Sequence, residues 1–209
     1  WITTINNDGL VNAAPFSFFN ALSYNPPFCL FSAGGHTNDE EDKDTVANVK
    51  ANGEFVYNMA TYELRNEVNL SSKHVPPDVD ELEMCGLTPA SCNLVKCPRV
   101  LESPINLECK HHSTLTLPSN SAKGVHHVVI GEVVGIHINE EALTEGKVDW
   151  VKIQPLARMG YMDYTHVTKV FTMAGPKGEE FRPGQIGEHK DSKHWDRIEE
   201  EWDKFKNGK

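Results

Sequence analysis

Residues Asn12 to Asn20 read Asn-Ala-Ala-Pro-Phe-Ser-Phe-Phe-Asn, so three aromatic side chains crowd into four positions behind two alanines and a proline. Pro15 fixes its own φ and offers no N–H, so a strand entering this run bends there. The small Ala13 and Ala14 leave room for a flat ring against the backbone. Phe16, Phe18 and Phe19 place apolar surface on alternating faces, and Asn12 and Ser17 add polar contacts. Two readings stand side by side: a bent strand whose aromatics fill a core, or one wall of a pocket for a planar ligand.

Upstream, Trp1 to Ile5 is rich in Thr and Ile, Asn6-Asn7-Asp8-Gly9 is a turn, and Leu10 to Phe18 is its partner strand, which makes a β-hairpin. Downstream, Pro26-Pro27 ends a loop and Phe28 to Ser32 is a short apolar third strand. Gly34 to Asp42 is an acidic exposed loop. It leads into a helix starting near Asp44 or Thr45, either of which can cap it, with Val46 and Val49 on one face and a stop at Gly53. Glu54 to Ala60 is a fourth strand, and Glu63 to Ser71 a second helix. Ile105 to Leu117 and Val125 to Ile138 form a long hairpin around the polar loop Pro118 to Gly124. The stretch from Pro76 to Pro104 has no clear period. At the end, Trp195, Ile198, Trp202 and Phe205 make an amphipathic stripe, a C-terminal helix over about residues 192–206. Strands joined by hairpins and long loops argue for an antiparallel sheet closed into a barrel, with a few peripheral helices.

A chain of 209 residues buries one substantial core and is short for two. With 39% hydrophobic and 24% charged residues it has the composition of a folding domain, and no apolar run nears the roughly 20 residues of a membrane helix. A net charge of −10 disfavours nucleic acid as a partner. The five cysteines are an odd set without a CxxC pair, which suits a reducing compartment and a cytoplasmic location. Trp1 opens directly on a β-prone run, which leaves room for a preceding segment.

An anionic ligand then needs a local site, because charges beyond about 8–10 Å are screened. Thr3 and Thr4, Asn12 to Ser17, Ser32, Lys43 and Thr45 are the donors. A phosphate monoester at the helix start would gain from free N–H groups, the helix dipole and the Lys43 charge. Asp44 is expected to turn away and cap the helix. Alternation points only one of Thr3 and Thr4 at a ligand, and Thr4 is favoured. His111-His112 and His126-His127 place neighbours on opposite strand faces, so adjacent pairs cannot chelate one metal, and no metal site is expected. There is no GxSxG elbow, and the acidic loop lacks the alternation of a calcium loop.

These residues carry a resemblance. Thr3-Thr4, Asp8-Gly9, Asn12 to Asn20, Pro26-Pro27, Phe31-Ser32, Lys43-Asp44-Thr45 with Asn48, and Gly53 to Asn58 stand in the order of the flavin reductase-like family of FMN-binding split barrels. Gly86 to Pro89, Pro98 to Cys109, Gly131 to Val133 and Pro155 to Tyr164 extend the similarity over most of the chain. The arginine and prolines that usually precede the first strand are absent, and the tail beyond about Lys169 shows no family pattern. The resemblance implies a mainly β, antiparallel Greek-key split β-barrel over residues 1–170, with residues 171–209 as an extension. It implies FMN as cofactor: Asn12, Ala13, Ala14, Pro15, Phe16 and Ser17 along the isoalloxazine and ribityl chain, Ser32, Lys43 and Thr45 on the phosphate, and Thr3 or Thr4 adding a hydroxyl. Arg158 falls near FMN or a nicotinamide phosphate, with a surface salt bridge as the competing reading. The implied activity is hydride transfer from NADH or NADPH to flavin N5, without an assigned catalytic side chain. A non-catalytic FMN-binding electron carrier reduced by a partner protein is the alternative. The resemblance further implies a homodimer, with a small-molecule or protein electron acceptor.

Overall fold

The structure, a computed structural model, describes residues 1–34, 42–118 and 125–172. Trp1–Thr168 is one compact unit and Lys169–Lys209 a second; the expected helix at about 192–206 lies outside the described residues.

The first unit runs β1 (Ile2–Ile5), β2 (Val11–Ala14), β3 (Phe19–Tyr24), β4 (Pro27–Gly34), α1 (Asp44–Asn52), β5 (Glu54–Asn58), α2 (Arg65–Leu70), α3 (Glu81–Met84), β6 (Pro89–Ala90), β7 (Arg99–Val100), β8 (Ile105–Leu117) and β9 (His126–Ile138). A 3-10 turn and the short pair β10 (Leu143–Thr144) and β11 (Lys147–Val148) follow, then α4 (Trp150–Ile153), β12 (Leu156–Gly160) and β13 (Asp163–His166). Seven strands form one antiparallel sheet in the order β2-β1-β5-β8-β9-β4-β3. Its two edges, β2 and β3, are consecutive in the chain.

The sheet wraps a core in which Ile2, Phe31, Phe55, Cys109 and Val129 meet Val46 and Val49 of α1. The helix faces inward with these residues because valines three apart share a face. Gly53 stops it in the left-handed conformation at φ 70°, its N–H bonded to the Val49 carbonyl at 2.9 Å. On the outer face of β1 and β2, Trp1, Val11 and Ala13 pack with Leu64 and Val68 from the α2 region and Leu82 of α3.

The expected strand Leu10 to Phe18 is shorter, covering only Val11–Ala14. Pro15 has no N–H to give a ladder, so β2 ends at Ala14, four residues cross the open side of the sheet, and the unforeseen β3 begins at Phe19. The apolar run expected as a third strand is therefore the fourth, and it extends to Gly34. The unperiodic stretch after Pro76 forms α3 and the β6–β7 pair, and two buried carboxylates hold it against the barrel. Glu108 accepts from the N–H groups of Asn93, Leu94 and Val95 at 3.0, 2.6 and 3.0 Å. Glu54 accepts from Cys97 N–H at 3.0 Å and pairs with Lys110 at 2.8 Å. Burial alone would raise both carboxyls, but these donors outweigh it and hold each below the ordinary carboxylate range. No helix among the described residues is long and apolar enough to cross a membrane.

Candidate functional site

The four residues Pro15 to Phe18 form a strap between the two sheet edges. Phe16 is seated on it, its ring 4.9 Å from that of Phe31 in the core. Phe19 then stacks on Tyr57 at 4.4 Å, and Ser32 N–H donates to the Phe18 carbonyl at 2.8 Å, tying the end of the strap to β4. Ala14, Pro15 and Phe16 are half-buried, Ser17 is exposed and Phe18 is 66% exposed. The strap backbone lies between β2 and β3 and belongs to neither strand, and its Phe18 carbonyl is taken by Ser32.

Beside the strap lies a buried polar knot. Thr4 and Asn12 are register partners on β1 and β2. The Asn12 amide donates to the Thr4 hydroxyl at 3.4 Å and to the Thr45 hydroxyl at 2.9 Å, and the Asn48 amide donates to Thr4 at 3.1 Å. Each threonine oxygen accepts here and keeps its own proton to donate. Asn48, which the sequence offers only as part of the family-like motif, joins the knot because its place three residues after Thr45 puts both on one helix face.

Alternation separates the two threonines. Thr3 points outward, donating to the Pro98 carbonyl at 2.7 Å and accepting from Asn58 at 3.1 Å, whereas Thr4 faces α1. Ala13 also points outward: its methyl is fully buried in the second cluster, and its N–H donates to the Glu81 carboxylate at 3.0 Å. Ser32 lies on β4 on the opposite face from Phe31 and Ala33.

The start of α1 differs from expectation. Lys43 is the N-cap in extended conformation and makes no side-chain cap bond, so neither Asp44 nor Thr45 caps the helix. Asp44 occupies the first turn, and the Glu81 carboxyl is pushed up by burial first and then by the charges of Asp44 and Asp80. The helix thus begins with a half-buried lysine whose side chain caps none of its first N–H groups.

Arg158 makes its contacts in its own hairpin. It is exposed on β12 and spends its guanidinium on its own hairpin, donating to the Tyr164 hydroxyl at 3.1 Å and to the Tyr161 carbonyl. It makes no salt bridge among the described residues. Of the paired histidines, His127 is buried and pairs with Asp42 at 2.8 Å, while His112 meets the edge of Phe28.

A split antiparallel barrel with a strap across its seam and a helix that opens on Lys43 beside it defines a class, and comparison with known proteins names it. The chain matches the Flavin reductase like domain over residues 1–163 and belongs to that family. An uncharacterized protein of Aquifex aeolicus is 36% identical over 161 residues, 77% of this chain and 79% of the relative. Nitrilotriacetate monooxygenase component B from Bacillus cereus superposes with a TM-score of 0.75 at 27% identity, covering 82% of this chain and 84% of that one. The 2-nitrobenzoate 2-nitroreductase of Pseudomonas fluorescens gives 0.71 at 26% identity over 86% and 85%. A putative flavin reductase with a split barrel domain from Shewanella frigidimarina, at 23% identity, a TM-score of 0.72 and 83% of each chain, shares the fold.

Proposed function

We propose that the chain binds FMN across the barrel seam and works as a flavin reductase-like oxidoreductase that takes a hydride from NADH or NADPH. The observation that supports this most is the off-ladder strap of Pro15 to Phe18 beside the Thr4, Asn12 and Thr45 knot, at the start of a helix whose N-cap residue, Lys43, makes no side-chain cap bond. That combination offers a flat apolar seat and an anion site to one molecule.

Lys43, Thr45 and Ser32 would hold the phosphate, with Thr4 in support, and the Lys43 charge and helix dipole would offset its negative charge. Asn12, Ala14, Pro15, Phe16 and Ser17 would line the ring system and ribityl chain. Ala13 backs this wall from behind, since its methyl and N–H are already engaged. FMN bound there supplies a two-electron acceptor at ring N5, so the chain needs no acid–base dyad of its own. The side chains bind, orient and exclude water, and Phe16, fixed by Phe31, forms the dry floor.

A homodimer belongs to this reading. The β12–β13 hairpin exposes Met159, Tyr161 and Met162 by 68%, 94% and 84%, an apolar surface that suits a second copy.

The test is spectroscopic. The purified chain should bind FMN, and anaerobic mixing with NADH or NADPH should bleach the flavin absorbance rapidly. Bound FMN that neither nicotinamide bleaches identifies an electron carrier served by another protein. A chain that takes up no FMN overturns the whole reading.

A further inference from the structure

The outer face of the barrel, across the sheet from the core, holds a second group of chemically active side chains. Cys92 lies in the crossing segment between β6 and β7, Glu108 on β8 and His137 on β9. One ligand atom from each falls within 4.8 Å of the others. His137 Nε2 and Glu108 Oε1 are 2.6 Å apart. We propose that Cys92, Glu108 and His137 form a binding site for one zinc-type divalent cation that staples the crossing segment to β8 and β9.

Three features support it. The donor set is a sulfur, an imidazole nitrogen and a carboxylate oxygen, the mixture that favours zinc over magnesium or calcium, which take oxygen ligands. The carboxylate is held in place before any ion arrives, by the N–H groups of Asn93, Leu94 and Val95. Such fixed partners orient a metal ligand. Glu108 lies directly against Gly135, where even a Cβ would come within 3.2 Å of its carboxyl, so β9 leaves the space it needs.

The geometry closes with small movements. With Zn–N, Zn–O and Zn–S near 2.0–2.3 Å, ligand atoms around one tetrahedral ion stand about 3.4–3.6 Å apart. From 2.6 Å the His137 and Glu108 atoms must therefore open by about 1 Å, and from at most 4.8 Å the thiol must approach by up to about 1.3 Å. Coordination through Nε2 leaves the imidazole proton on Nδ1, the thiol gives its proton to solvent, and water fills the remaining position. Cys92 also lines a surface depression with Ile5, Val11, Pro89, Val95, Lys96 and Pro98.

The full chain, freed of metal with a chelator, is titrated with Zn²⁺ against a chromophoric competitor, and Cys92 alkylation by a maleimide is followed by peptide mass spectrometry. We expect one tight Zn²⁺ per chain, slowing of Cys92 alkylation by Zn²⁺ but not by Mg²⁺, and at least tenfold weaker binding in Cys92→Ser and His137→Gln. Cys92 alkylation in the wild-type chain that is indifferent to Zn²⁺ overturns the proposal even where a variant fails to fold. Zn²⁺ affinity unchanged in both variants overturns it equally.

Discussion

The side-chain amide of Asn12 donates to the Thr45 hydroxyl at 2.9 Å, which fixes the sheet edge β2 to the first turn of α1. The proposed FMN contacts on β2 and at the helix start are therefore joined by a direct hydrogen bond. Lys43→Ala combined with Thr45→Ala removes a charge and a hydroxyl from the proposed phosphate site. A charge-assisted hydrogen bond contributes about 1.5–3 kcal/mol, so FMN affinity should fall by at least roughly tenfold. Quenching of flavin fluorescence reads this, and unchanged affinity would move the phosphate elsewhere.

Gly131 on β9 faces the interior, and a Cβ there would stand 2.5 Å from the ring of the fully buried Phe55. Gly131→Ala should therefore destabilise the barrel by about 1–3 kcal/mol, the usual cost of overpacking. Denaturant unfolding measures it, and a midpoint equal to wild type would show that Phe55 has room to move.

Acid should loosen the segment after Pro76 through Glu54 and Glu108. Both carboxyls are held below their unfolded values, so their contribution is complete above the ordinary carboxylate pKa of about 4.3 and is lost as pH falls through the lower folded values. Glu54→Gln with Glu108→Gln should lower stability at neutral pH, by about 1–3 kcal/mol for each carboxylate whose buried donors lose a partner, and should flatten the acid limb. Thermal melts across pH 2–7 decide; a parallel acid limb in the variant would put the pH dependence on other groups.

Glu81 works in the opposite sense. Its carboxyl is raised by burial and by Asp44 and Asp80, so its favourable contribution belongs to the protonated form and is lost as pH rises through the raised folded value. Glu81→Gln keeps an oxygen for the Ala13 N–H and drops the charge. Its melting temperature should exceed wild type by a few degrees at pH 7 and converge with it in acid. A lower melting temperature at pH 7 would mean that the charge itself holds the Ala13 N–H.

At the tip of the β12–β13 hairpin, Tyr161 sits at φ 48°, a conformation aspartate tolerates. Tyr161→Asp with Met162→Asp should convert a dimer to a monomer by light scattering without changing far-UV circular dichroism. A variant that remains dimeric would place the interface on another face.

Much of the barrel is written in local patterns. The Asn6 to Gly9 turn, the β8–β9 hairpin and the Gly53 stop each carry their own turn or period signal and stand where those signals put them. β3 does not, because five of its six residues are exposed and no alternation marks it. The order around Asn93 to Cys97 depends on Glu54 and Glu108, residues distant in sequence whose carboxylates replace a local ladder. Within the site, the hydroxyls of Thr4 and Thr45 could be picked out by residue type. The outward turn of Ala13 could not, since it depends on which face of β2 meets α3.

The Ala13 N–H points away from β1, where a further strand would add to the sheet. The Glu81 carboxylate occupies that position instead, and α3 covers the edge behind it. A foreign chain seeking to extend the sheet through β2 would have to displace a hydrogen-bonded acid and a packed helix, so this margin is guarded against runaway strand-by-strand aggregation.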